Sequence, residues 1–252
     1  MAKFYVMSDV HGHFDEMIEA LDKAGFDSNN PEHWLISLGD NFDRGPKNIQ
    51  VMRYLRMLER CIGVKGNHED LLLQCCERGY PGGHDYGNGT FDAVCEFGDA
   101  GEGYSFDECC TRTLARVGNF IDNMVDYFET KNYIFVHSWI PLACKDNLPK
   151  YYTKKRKFEF NPDWRNASAS EWEDARWGNP FDLAEQGFLP EKTVVFGHWG
   201  VEHKWAEIEL RQEYGKGAHF EPYYGDGYIG IDATTAYSGK VNVLVLEDEF
   251  LE

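Results

Sequence analysis

The chain has 252 residues, 42% of them hydrophobic and 15% aromatic, and a formal net charge of −18. That composition excludes a disordered polymer, and the excess of acid opposes generic binding to nucleic-acid backbone, which needs basic surface. No apolar run approaches the ~18 residues of a membrane helix, and the stretch Met1–Met7 is too short for a secretory signal. A cytoplasmic protein without membrane or nucleic-acid partners is therefore expected, organised as one domain over 1–252.

Residues 3–8 read as a first strand, and Asp9-Val10-His11-Gly12 follows directly. Residues i and i+2 of an extended segment point to one side. Asp9 and His11 can therefore converge on one cation, although Asp9 capping a following helix explains the same letters. Phe14, Met17, Ile18 and Leu21 then recur at helical spacing, with Gly25 as a C-terminal cap. The apolar run Trp34–Leu38 predicts a second, buried strand. It leads into Gly39–Gly45, which reads GDNFDRG. Here Asp40 can hold a metal and Arg44 an oxyanion, and the glycines let the backbone approach a ligand closely. Alone, this is also how a polar turn with a surface salt bridge reads. Pro46 is placed for the first turn of a helix whose apolar stripe is Ile49, Met52 and Leu55. A third strand, Cys61–Val64, ends in Lys65-Gly66-Asn67-His68-Glu69-Asp70 before the helical run Leu71-Leu72-Leu73. Three strand–turn–helix units that each deliver polar residues at a strand end predict one composite site on the C-terminal edge of an α/β sheet.

Residues 79–104 contain eight glycines and read as a long loop or flap. Residues 107–129 read as a helix with Leu114, Val117, Ile121, Met124, Val125 and Phe128 as its buried stripe. Residues 79–130 together form an expected inserted lobe, either a lid that selects substrate or an inert insertion. Tyr133–Val136 is a strand followed by His137, and Val194-Val195-Phe196-Gly197-His198 is another strand ending in a histidine. Between them the run Lys154-Lys155-Arg156-Lys157 reads as a solvated loop or as a basic patch near an anionic substrate. Residues 228–232 and 241–246 close the chain as two further strands. The seven cysteines include the adjacent pairs Cys75-Cys76 and Cys109-Cys110 but no CxxC spacing. Reduced thiols are expected, rather than a disulfide framework or a structural zinc site.

The motifs DVHG at 9–12, GDNFDRG at 39–45 and GNHED at 66–70, with the later His137 and His198, resemble the metallophosphoesterase superfamily. Within it they look most like the serine/threonine protein phosphatase branch of bacterial and phage type. Gly200 stands where many members carry a second histidine, which fits that branch. The resemblance implies an α/β fold, a two-sheet β-sandwich flanked by helices. It also implies two divalent metal ions, manganese expected and iron or zinc as alternatives, held by Asp9, His11, Asp40, Asn67, His137 and His198. A metal-bridging hydroxide would then attack phosphorus directly. In the family the histidine of GNHE protonates the leaving oxygen and the second Asp of GDxxDRG orients it, here His68 and Asp43. Arg44 would clamp phosphate oxygens. Relatives often carry arginine before GNHE; this chain has Lys65, which keeps the charge without the planar fork. Arg176 is a weak candidate for a further phosphate-clamping arginine. VHSW at 136–139 departs from the usual VHAG, which bears on packing next to His137. The implied activity is hydrolysis of phosphate monoesters, first of all phosphoserine or phosphothreonine in proteins. The alternatives are a hydrolase of dinucleoside polyphosphates of the diadenosine tetraphosphate type and a catalytically silent scaffold.

Overall fold

The computed structural model describes residues 2–145, 157–209 and 218–251. Lys154, Lys155 and Arg156 of the basic run lie outside the described residues. The fold is α/β, with two mixed sheets flanked by helices. The first sheet has the order β11-β1-β2-β3, formed by β1 (Ala2–Met7), β2 (His33–Ser37), β3 (Cys61–Gly63) and β11 (Leu244–Asp248). Its first three strands are parallel, and β11 runs antiparallel to β1. The second sheet has the order β4-β5-β8-β10-β9, from β4 (Tyr127–Glu129), β5 (Tyr133–Val136), β8 (Thr193–Phe196), β9 (Tyr223–Gly225) and β10 (Tyr228–Gly230). Its central strands β5, β8 and β10 are parallel and its outer ones antiparallel. A small hairpin, β6 (Ala143–Cys144) with β7 (Phe158–Glu159), stands apart.

Strand alternation explains why these runs are apolar throughout. Phe4 and Val6 point into the cluster between the sheets, while Tyr5 and Met7 point into the helix-side cluster. Val195 likewise faces the first sheet, and Val194 and Phe196 face outward under the second layer of helices. Strands covered on both faces need no polar alternation. The sandwich is closed along β4. Val64 bridges to Val125 just before it, and Thr130 bridges to Phe250 just after it.

The helices on the first sheet are α1 (Phe14–Ala24), α2 (Asn48–Met57) and α3 (Asn67–Arg78). Helix α1 buries Met17 and Leu21 and ends, as the sequence indicates, on Gly25 at φ 81°. Pro46 sits just ahead of α2, not within its first turn, and α2 is capped from elsewhere. Glu96 accepts the N–H groups of Asn48 and Ile49 at 3.1 and 2.9 Å.

The segment read as a loop is helical. Within 79–104 it forms α4 (Gly83–Asn88), α5 (Thr90–Gly98) and a 3-10 turn over Ala100–Glu102; the stretch read as one helix then holds α6 (Phe106–Thr113), a π turn over Leu114–Gly118 and α7 (Asn119–Asp122). Its glycines mark helix boundaries: Gly79, Gly89 and Gly103 sit left-handed at helix ends, where glycine is cheap. Ala93, Val94 and Phe97 of α5 share one apolar core with Phe42 and Leu72. The helix expected to run to residue 129 stops at Asp122. Phe128 instead lies in β4, its ring centroid 6.0 Å from that of Phe135, and Val125 is 42% exposed. Period alone cannot separate a short strand from a helix end. Similarly, 241–246 is only half strand, since β11 begins at Leu244. The remaining helices are α8 (Ala169–Ala175), α9 (Pro180–Glu185), α10 (Val201–Glu209) and α11 (Thr235–Ser238). No helix among the described residues is long and apolar enough to cross a membrane. Cys75, Cys76, Cys109 and Cys110 are buried in the core, form no disulfide, and join no group of metal donors among the described residues.

Candidate metal centre

The parallel strands of both sheets end at one edge, and the polar residues past those ends meet there. β1 delivers Asp9 and His11, β2 delivers Asp40, Asp43 and Arg44, and Asn67 and His68 open α3 beyond β3. His137 follows β5 and His198 follows β8. The turns are laced together by backbone bonds from Asp9 N–H to Gly39 O, His11 N–H to Asp40 O and Gly12 N–H to Asn41 O, 2.8–3.1 Å long. Where the turns cross there is no room for a side chain. A Cβ on Gly39, whose φ is 92°, would lie 2.4 Å from the Gly66 nitrogen. One on Gly66 would lie 2.2 Å from Asp40 Oδ1.

Eight non-glycine residues among those described have positive φ, and six of them are Asp9, His11, Asp40, Asp43, Arg44 and His198. Such backbone costs on the order of 1–3 kcal/mol per residue and persists only where surroundings over-determine it. Glu69 is one such constraint. Fully buried, its carboxylate accepts the N–H groups of Asp40, Asn41 and Gly66, each at 2.9 Å, and the Asn41 side chain at 3.2 Å. The sequence signalled Glu69 only as a letter of GNHED. Glu69→Gln replaces an acceptor oxygen with an amide against those donors, so we expect a loss of about 2–4 kcal/mol, read from urea unfolding.

The histidine tautomers are set by carbonyl acceptors. His11 Nδ1 donates to Phe42 O at 2.9 Å and His137 Nδ1 donates to Leu38 O at 2.7 Å. Each Nε2 therefore carries a lone pair. That of His11 faces Asp40 Oδ2 at 3.8 Å, and that of His137 faces Asp40 Oδ1 at 3.4 Å. Asn67 Oδ1 and His198 Nδ1 approach the same His137 nitrogen at 2.8 and 3.2 Å. Asp9 Oδ2 accepts the His198 N–H at 2.8 Å and the Ser8 hydroxyl.

Electrostatics fit cations. Burial, then the neighbouring Asp40, pushes the Asp9 carboxyl well above its usual range. Burial and Glu69 do the same to Asp40. Burial, reinforced by His68, lowers His11; burial and His198 lower His137; burial brings His198 down to about 3. Neutral imidazoles and crowded carboxylates, all acceptors aimed at each other, are the donor set a divalent ion neutralises. Among the described residues two groups are close enough to hold one: His11, Asp40 and His68, and Asp40, His137 and His198. Asp40 belongs to both. Asp232, just past β10, is a further buried acid near Asp9, and its carboxyl is pushed up by burial and by that neighbour; only its place two residues beyond a strand could have pointed to it.

His68 Nδ1 donates to Asp43 Oδ2 at 2.8 Å, which leaves Nε2 to accept from Arg44 Nη2 at 3.1 Å. His68 and Arg44, with Asp9, His11, Asp40, Asn67 and His198, floor a cavity of about 210 Å³ walled by Leu71, Asn88, Trp177 and Trp199. Lys65 does not line it; its ammonium stands 3.8 Å from Asp70. Arg176 is not there either. Buried, it pairs with Asp70 at 2.7 Å and with Asp126, tying α3 to the chain entering β4.

Comparison with known proteins agrees with this geometry. The chain is 35% identical over 79 residues to a symmetrical bis(5'-nucleosyl)-tetraphosphatase of Aromatoleum aromaticum, covering 31% of this chain and 28% of that protein. It is 43% identical over 70 residues to the enzyme so named from Hamiltonella defensa, covering 27% and 25%. It thus spans about a quarter of the length of the curated relatives it matches. The fold is shared with the cold-active protein-tyrosine phosphatase of a Shewanella species, with a TM-score of 0.57 and 17% identity over 98% of this chain and 76% of that one. A yeast serine/threonine phosphatase also shares it, with a TM-score of 0.50 and 14% identity over 100% and 81%. A family model described as calcineurin-like phosphoesterase matches residues 2–213. Since that span takes in every donor from Asp9 to His198, the chain belongs to the calcineurin-like phosphoesterase family.

Proposed function

We propose that this phosphoesterase works with two divalent cations and cleaves a dinucleoside polyphosphate. The observation that carries the substrate class is the wall of the cavity. Trp177 and Trp199 both approach His198, with ring centroids 6.5 and 6.2 Å away, beside a floor that carries Arg44. Aromatic faces stack nucleobases, and a guanidinium grips phosphate. The names of the curated relatives support the same class.

Asp9, His11 and Asp40 would hold one cation, and Asp40, Asn67, His137 and His198 the other. When bound, the pair supplies an activated water and offsets phosphate charge. Manganese is our first choice of metal, with iron and zinc as alternatives, because the donors are mixed oxygen and imidazole without thiolate. Arg44 and His68 address one spot on the floor. Arg44 turns from His68 to orient phosphate oxygens, which frees His68 Nε2 to take a proton from solvent; the resulting imidazolium hands that proton to the departing oxygen while Asp43 keeps Nδ1 protonated. Lys65, set back against Asp70, contributes positive field rather than contact.

The second reading is a monoesterase acting on phosphoserine or phosphothreonine. The small cavity favours it: about 210 Å³ takes a phosphoryl group and leaves a protein substrate outside. Product analysis separates the two. Diadenosine tetraphosphate should yield nucleoside diphosphate with kcat/KM about 100-fold above that for a phosphopeptide; the reverse ranking would replace the first reading with the second. Folded, metal-loaded protein that hydrolyses neither would leave a silent scaffold. Metal uptake has its own readout. Elemental assay should find two equivalents, and manganese at ~100 times its Kd should add about 2.7 kcal/mol per site, seen as a rise in Tm.

A further inference from the structure

We propose that Thr90, the first residue of α5, is a positioning residue for the Asp43–His68 pair, which makes the helical segment 79–130 part of the active site. The inference rests on the acid role given to His68 above. Thr90 is completely buried, and its hydroxyl donates to Asp43 Oδ2 at 2.6 Å. The same oxygen takes the His68 Nδ1 proton at 2.8 Å. Asp43 Oδ1, equally buried, has no hydrogen-bond partner among the described residues. All of the carboxylate's hydrogen bonding therefore passes through one oxygen, shared by the imidazole and a hydroxyl from another element.

A carboxylate turns easily about its last torsion, because that well is broad and two-fold. One hydrogen bond to the imidazole leaves that rotation weakly held; a second on the same oxygen, from a rigid helix end, fixes it. The backbone of the same corner supports the turn as well. Gly89, at φ 80°, comes so close that a Cβ there would lie 2.4 Å from the Arg44 nitrogen. Asp43 and Arg44, at φ 74° and 62°, need such outside support. Asn88, the residue before, reaches the cavity wall. Thr113 of α6, by contrast, gives its hydroxyl to the Val94 carbonyl at 3.2 Å, an ordinary core bond.

Thr90→Val keeps the shape and removes the donor, and Thr90→Ser keeps the donor. The metal-loaded variants are assayed on phenyl phosphate, whose leaving oxygen is basic, and p-nitrophenyl phosphate, whose leaving oxygen is not. Thr90→Val should lower kcat on phenyl phosphate by about tenfold or more and on p-nitrophenyl phosphate far less, with KM and metal equivalents unchanged and with Thr90→Ser restoring it. In an Asp43→Asn background the Val substitution should add nothing further. On metal-free protein the low-field imidazole proton of His68, identified by its loss in His68→Asn, should shift in Thr90→Val. If Thr90→Val does not fold, Thr90→Ala carries the same tests. An unchanged imidazole proton, or an equal fall on both esters, overturns the inference. Wild type inactive on both esters with two metals bound would instead overturn the monoesterase reading, and the imidazole proton would still decide the role of Thr90.

Discussion

Asp40→Asn should lower turnover by on the order of a thousandfold while raising the stability of the metal-free protein. Both effects have one cause. The two Asp40 oxygens face different histidines, Oδ2 toward His11 at 3.8 Å and Oδ1 toward His137 at 3.4 Å, so in the proposed centre a single carboxylate would serve both cation positions. Losing even a partner beyond the ligand shell costs 10–100-fold in such centres, and a shared ligand should cost more. Without cations the same carboxylate is a liability: burial first, and Glu69 next, oppose its ionisation. An amide relieves that cost by about 1 kcal/mol or more and can still accept the His68 N–H, now bound to Asp40 Oδ1 at 2.9 Å. Urea unfolding of chelator-treated samples, beside elemental analysis and kinetics of reconstituted ones, checks both halves. Full activity with two equivalents bound would remove Asp40 from its role.

His68→Asn should divide substrates by leaving group. General acids contribute about 10²–10⁴-fold, but only where the departing oxygen needs a proton. A serine alkoxide does; a nucleoside diphosphate, which leaves as a weakly basic phosphate, needs it much less. The variant should therefore lose about a hundredfold or more on a phosphopeptide and much less on diadenosine tetraphosphate, with metal content unchanged. His68 Nε2 stands 3.9 Å from Asp40 Oδ2, so metal content is the measurement that guards the assignment. If uptake collapses, His68 is a ligand and not an acid.

The donor cluster was legible because it is written as short motifs at strand ends, and a strand end leaves its side chains few places to go. Asp9 with His11, Asp40 with Asp43 and Arg44, and Asn67 with His68 follow apolar runs whose lengths fix where the edge lies. What the letters could not carry was contact over distance. Glu69 and Thr90 act through hydrogen bonds to residues 28 or 29 and 47 positions away, and no local period encodes such a pairing. Counting glycines between 79 and 104 misled for a related reason: spaced at helix ends, they delimit helices instead of dissolving them. Arg176 shows the converse. An arginine near a phosphate site invites a phosphate role, yet its two acidic partners occupy it.

Backbone strain at the strand ends has a consequence for directed evolution. Glycine tolerates left-handed torsions that Asp9, His11, Asp40, Asp43, Arg44 and His198 endure. A library screened for heat resistance alone should accumulate glycine at these codons, and every such gain would erase a reactive group. Thermotolerant clones would emerge inert, so any campaign to harden this protein must score catalysis in every round.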